Sequence, residues 1–420
     1  MNHFELEGGE LHCEGVALSA IADAVGTPTY VYSTATLERH FKVFEAAFAP
    51  RKVLIAYAVK ANGNLSVLRT LAALGAGADT VSEGEIRRAL AAGVPPAKIV
   101  FSGVGKTNDE IEYALNQGVG EINVESEPEL DRISEIAGRL GKPATVAIRV
   151  NPNVGAGGHA KIATGKAEDK FGVSFSEAAR LYAKASADPA LNPVGVACHI
   201  GSQITDLSPM RQAFAKMRGL VEELRASGLD VRRLDLGGGL GVPYFNQTEH
   251  PPEPADYAAM IDEVVKGLDV ELAFEPGRVI AANAGVLLAR VIHIHARPEG
   301  RRFLVLDAGM NDLVRPAMYD AFHDIRPVQP RAGEPVLYDV VGPVCETGDT
   351  FARERLLPPL EAGDLVAFMS AGAYGATMSS EYNARPLVAE VLVKDDRWAV
   401  VRRRPSYDEM MAAEQPADWL

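Results

Sequence analysis

Cysteine is scarce in this chain: three in 420 residues, Cys13, Cys198 and Cys345, widely separated and odd in number. No CxxC pair occurs, so neither a disulfide framework nor a metal site is expected, and free thiols in a reducing compartment are. Long apolar runs are also missing. The longest, such as residues 287–294, fall far short of the roughly 20 residues that cross a bilayer, so no membrane is expected as partner. The opening MNHFELEGGE has no basic start and no apolar stretch, so no secretion leader is expected. An excess of positive charge is absent: the net charge of -14 argues against a nucleic-acid partner. The carboxylates are dispersed rather than gathered in an acidic tail. What remains is 47% apolar and 23% charged, the profile of an ordinary globular protein, and at 420 residues it is too long for one core. A two-domain cytoplasmic protein is expected.

Residues 50–280 alternate short β-rich runs with amphipathic helical stretches. The runs are 53–59, 76–81, 99–103, 121–124, 145–150, 194–200, 233–236 and 271–274. Most are continuously apolar, as strands of a parallel sheet buried on both faces must be. Helices are predicted over 83–92 and 210–227, with a stop where Gly93 is followed by Pro95. Eight such units predict a (β/α)8 TIM barrel over residues 33–285, with an open doubly wound sheet as the alternative. After about Gly285 helical periodicity fades, and short β-type runs are broken by Pro, Gly and Asp. Residues 286–420, joined by a strand from the first 32 residues, therefore predict an all-β domain, a β-sandwich or β-barrel.

In a barrel of this kind chemistry sits at the C-terminal strand ends. Five predicted ends carry residues that packing explains poorly: Lys60 in AVKAN, Asp79, His199 in HIGS, Gly237-Gly238-Gly239, and Glu275 with Arg278 in EPGR. A lysine there either snorkels to solvent or, partly desolvated, forms a Schiff base with a carbonyl ligand. A glycine run is either a tight turn or a place where backbone N–H groups meet an anion, and phosphate commonly binds after barrel strands seven and eight. Glu275 is either half of a surface ion pair or a carboxylate that holds a proton on a pyridine nitrogen. His199 is either a buried structural histidine or a ring that lies flat on that ligand. In the β domain, Cys345 stands between Gly342-Pro343 and an acidic run, where it is expected to be exposed.

YAVKAN, HIGSQ, DLGGGLG, EPGR, RPAMY, GPVCETGD and GAYG, in this order over residues 27–402, resemble the pyridoxal-phosphate-dependent decarboxylases of the alanine-racemase fold, in particular those acting on diaminopimelate. The resemblance implies that Lys60 carries pyridoxal 5'-phosphate, that His199 stacks on its ring, and that Glu275 binds the ring nitrogen. Gly237, Gly238, Gly239, Ser202 and Tyr374 would contact the phosphate, with Pro276, Gly277 and Arg278 beside them. Asp79 and Glu85 would orient the lysine and the histidine. Cys345 would be the proton donor, reaching the active site from the partner subunit of a head-to-tail homodimer. Arg278, Arg315 and Tyr319 would take the far carboxylate of the substrate and Glu346 its far ammonium, with Tyr374 nearby. The reaction implied is decarboxylation of meso-2,6-diaminopimelate at its D-configured centre to L-lysine, the last step of lysine synthesis.

Three rivals keep parts of this reading. A sister decarboxylase acting on ornithine, arginine or a D-amino acid shares the cofactor residues. A racemase on the same barrel keeps the carboxylate, and acidic Glu275 speaks against it. A non-catalytic homologue is expected to have lost Lys60 or Cys345. Two segments match less closely: residues 155–172, which resemble a lid-like loop, and YNARP at residues 382–386, which is expected to touch no catalytic group.

Overall fold

The computed structural model describes residues 2–155, 165, 169–245 and 250–419. Most of the lid-like segment therefore lies outside the described residues. Two compact units are formed. One comprises Glu38–Pro243 and His250–Ile280; the other takes in the chain up to Leu37, the stretch beginning at Tyr244, and everything from Ala281 onward.

The first unit is a closed barrel of eight parallel strands, ruling out the open sheet. The strands are Val53–Ala58, Gly77–Thr80, Ile99–Phe101, Glu121–Val124, Ala144–Arg149, Leu191–Ala197, Arg233–Asp235 and Glu271–Phe274, paired in chain order, with the last returning to the first through Leu272 beside Val53. Each ends in at least two consecutive buried residues rather than in alternation, with helices outside and side chains filling the barrel. Helix starts follow capping chemistry. The Ser82 Oγ accepts from the Glu85 N–H, and Thr107 with Glu110 and Ser174 with Glu177 each form a reciprocal capping box. An aromatic cluster closes one side, where Phe274 stacks on Phe48 at 4.4 Å and meets Phe44 and Tyr257 edge-on.

The second unit is mostly strand. Its main sheet runs Thr350–Leu357, Val336–Val341, Arg302–Leu306, Gly285–Ala296, Thr29–Ser33, Ala389–Lys394 and Arg397–Arg402, and Leu365–Phe368 joins Gly285–Ala296 to Ile325–Pro327. Thr29–Ser33 lies inside that sheet, antiparallel to Gly285–Ala296 and parallel to Ala389–Lys394. An N-terminal three-stranded sheet and the helix Leu18–Val25 cover its core, where Cys13 packs with Leu18, Ile21, Val31, Leu288 and Val391. Cys13 is thus a small buried filler. Among the described residues no helix is long and apolar enough to cross a membrane, and no cluster of three or more His, Cys, Asp or Glu is placed to hold a metal.

Candidate active site

Lys60 lies just beyond the first barrel strand. A single 3-10 turn, Val59–Ala61, lifts it out of the sheet, so its side chain is 37% exposed although Val59 and Ala61 are buried. Its Nζ donates to Asp79 Oδ2 at 2.6 Å, while Asp79 Oδ1, fully buried, has no partner among the described residues. The amine is thereby fixed at the barrel mouth by a charge-assisted bond. Glu85 lies on the helix that follows the second strand. Its Oε2 accepts the Val81 N–H at 2.7 Å, and burial, with Asp79 beyond it, pushes its carboxyl up to about 7.

His199 sits two residues past the sixth strand. Its Nδ1 lies 3.1 Å from the Gly238 N, whose hydrogen only it can accept, so the imidazole proton belongs on Nε2. Desolvation, then the Lys60 and Arg149 cations, hold its pKa well below the ordinary histidine value. It is a neutral ring at physiological pH.

The glycine run is used more locally than the sequence suggests. The Gly237 N–H donates to Asp235 Oδ1 at 2.8 Å and that of Gly238 to His199. Only the Gly239 N–H, at a backbone φ of +112°, has no acceptor among the described residues. A Cβ at Gly238 would come within 2.2 Å of the Glu275 carbonyl oxygen, so the residue is small because two strand ends touch. Next to it, a Cβ at Gly277 would press on the methyl groups of Ala58 and Ala61 at 3.0 Å, and the Pro276 carbonyl accepts the Ala58 N–H. Arg278, buried, donates from Nε and Nη2 to Ser202 Oγ at 3.2 and 2.9 Å. Ser202 and Arg278 are therefore one polar unit at the strand ends.

Glu275 is 8% exposed, and no cation lies within ion-pair distance of it among the described residues. Only long contacts reach its Oε1, from Ser102 Oγ and Asn123 Nδ2 at 3.5 Å each. Desolvation, then the neighbouring Asp79 and Asp235 carboxyls, hold its pKa well above the usual carboxylate range. A cationic N–H placed here would relieve that cost, so the barrel mouth fits a pyridinium ring: an amine at Lys60, an open N–H at Gly239 and an unpaired carboxyl at Glu275. Asp235 shares the strain. Its Oδ2 has no partner among the described residues, and burial, then Glu121, push it from 3.8 up to about 7. Between those values the unfolded chain releases the proton that the folded chain keeps, so raising pH favours unfolding. Asp235→Asn is expected to match the wild type near pH 4 and exceed it at pH 8 by on the order of 3 kcal/mol, measured by urea unfolding. Equal offsets at the two pH values would contradict this.

The remaining candidates belong to the second unit. Arg315 and Tyr319 open and close the short helix Arg315–Tyr319. Cys345 is exposed, as expected, and its turn is tied down by Asp349, whose Oδ2 accepts the Val344 N–H and whose Oδ1 accepts the Met310 N–H. YNARP touches this turn after all, correcting the sequence reading. Asn383 Oδ1 accepts the Cys345 N–H at 3.3 Å and its Sγ–H at 3.5 Å, and the Tyr382 hydroxyl donates to Glu346 Oε2 at 3.0 Å. Tyr374 stands at φ +56°, a left-handed backbone that is costly for a bulky side chain. Nothing in local sequence marks Tyr382 or Asn383, because their partners lie 36 and 38 residues away.

Residues 34–282 match the family described as pyridoxal-dependent decarboxylase, pyridoxal binding domain. The diaminopimelate decarboxylase of Pseudomonas aeruginosa is 51% identical over 414 residues, covering 99% of both chains. The crystal structure of diaminopimelate decarboxylase from Helicobacter pylori, complexed with L-lysine, superposes with a TM-score of 0.91 at 44% identity, covering 94% of this chain and 98% of that one. The M. jannaschii enzyme of the same name, also with L-lysine, gives 0.95 at 37% identity over the whole of both chains. Fold, barrel-mouth chemistry and full-length identity agree that the chain belongs to the diaminopimelate decarboxylase family of pyridoxal-dependent decarboxylases.

Proposed function

We propose that this chain decarboxylates meso-2,6-diaminopimelate at its D-configured centre, giving L-lysine and carbon dioxide as the last step of lysine synthesis. The observation that carries the reaction class is Glu275, a buried carboxyl with no cation of its own among the described residues, beside the Lys60–Asp79 pair. The substrate follows from relatives of that name near half identity over the full chain.

Pyridoxal phosphate, when bound, supplies an electron sink for the pair left behind as the Cα–carboxylate bond breaks. Lys60 would hold it through the amine that Asp79 fixes, and Glu275 would meet the ring nitrogen and keep a proton there. Neutral His199 would take the face of the ring without adding charge. Ser202, Tyr374 and, from the Gly237–Gly239 loop, the open Gly239 N–H would bind the phosphate, with Pro276, Gly277 and Arg278 forming the adjoining wall. Arg278, Arg315 and Tyr319 hold the far carboxylate and Glu346 the far ammonium, which fixes the substrate end to end. Cys345 then delivers a proton from Sγ to Cα. Asn383 and Tyr382 keep Cys345 and Glu346 in register for these tasks. Cys345 and Glu346 serve the site of the partner in a head-to-tail homodimer that works in the cytoplasm.

The test is carbon dioxide release and amine product from the purified protein with pyridoxal phosphate, offered diaminopimelate, ornithine, arginine and lysine separately. Lysine from diaminopimelate alone is expected. Turnover of ornithine or arginine in its place would contradict the assignment of the far pocket.

A further inference from the structure

His323 is 2% exposed and lies eight residues after Arg315, itself 6% exposed. Its Nδ1 sits 2.9 Å from the Met369 carbonyl oxygen, which can only accept, so Nδ1 carries the proton. Nε2 is then a lone pair, and it meets Arg315 Nη1 at 2.7 Å. The Arg315 guanidinium also lies over the Tyr244 ring, 4.5 Å from its centroid, and the Tyr244 and His323 rings meet edge-to-face at 5.3 Å. Arg355 Nη1 secures the other side of this brace by donating to the His323 carbonyl at 2.9 Å. One nitrogen of His323 is thus anchored to the sheet end and the other aims a guanidinium.

From this geometry we propose that His323 is a positioning residue for substrate specificity: it orients Arg315 toward the far carboxylate of the substrate through a neutral acceptor. A carboxylate in its place would orient the guanidinium equally well but would cancel the charge that must meet the substrate anion. A neutral imidazole leaves that charge in force, and the Tyr244 face limits the guanidinium to one plane. The inference rests on the reading that Arg315 binds the far carboxylate.

The two ring nitrogens separate the test into parts. Asparagine reproduces the Nδ1 donor to Met369 and removes the acceptor, whereas glutamine returns an acceptor near Nε2. On cofactor-loaded protein with matched melting temperatures, His323→Asn is expected to raise KM for diaminopimelate about tenfold, the loss of one buried bond to a charged group. Its kcat and the absorbance of the bound cofactor should stay close to wild type. His323→Gln should return KM to within about threefold. In an Arg315→Ala background, His323→Asn should add nothing, because the group it aims is gone. A wild-type KM in His323→Asn, or an undiminished effect of it in the Arg315→Ala background, would overturn the proposal. An Arg315→Ala variant with unchanged KM would instead overturn the reading beneath it.

Discussion

Lys60→Ala is expected to lose carbon dioxide release by at least about a thousandfold, because the amine that buried Asp79 fixes at the barrel mouth disappears. Lys60→Arg should fare no better. It restores a cation for Asp79 but offers no amine for covalent attachment, so the two variants separate charge from chemistry. The companion readout is direct: borohydride treatment of wild-type protein should fix the cofactor to the peptide containing Lys60, and neither variant should retain it. Melting curves guard against misfolding, since removing the lysine leaves Asp79, with its unpartnered Oδ1, buried and unpaired. Activity within tenfold of wild type in Lys60→Ala would remove the amine from the mechanism.

Arg315→Ala is expected to lower kcat/KM for diaminopimelate by about a hundredfold to a thousandfold, the range for truncating one partner of a buried charge-assisted pair. Cofactor absorbance should be unchanged, because Arg315 is assigned to the far carboxylate of the substrate and not to the cofactor. Steady-state kinetics with parallel cofactor titration make the comparison. A fall in cofactor affinity equal to the fall in kcat/KM would contradict the assigned role, and an unchanged kcat/KM would return the choice of substrate to ornithine or arginine.

The barrel was legible in sequence because burial on both faces writes each strand as an apolar run. Glu121–Val124 and Glu271–Phe274 stand where periodicity places them. Strand ends were read too long where the chain leaves the sheet: Leu191–Ala197 stops before His199, and Val59 belongs to the turn that lifts Lys60. Thr350–Leu357 went unread as a strand because Arg353, Glu354 and Arg355 interrupt its apolar pattern on an exposed sheet edge. The residue types at the strand ends were readable, since lysine, histidine and glutamate are hard to bury without purpose. Their bonding was not. The glycine N–H groups turn to Asp235 and His199, and Asn383 and His323 act on Cys345 and Arg315 through side chains that only the fold brings together.

The central claim is that this site breaks the bond from Cα to carboxylate and not the bond from Cα to hydrogen. Running the reaction in heavy water and weighing both product and recovered substrate tests it most directly. The account predicts lysine carrying a single deuterium at the carbon that lost its carboxyl, with recovered diaminopimelate unlabelled. Deuterium washed into diaminopimelate that keeps both carboxyl groups, with no lysine formed, would be the signature of a racemase and would contradict it.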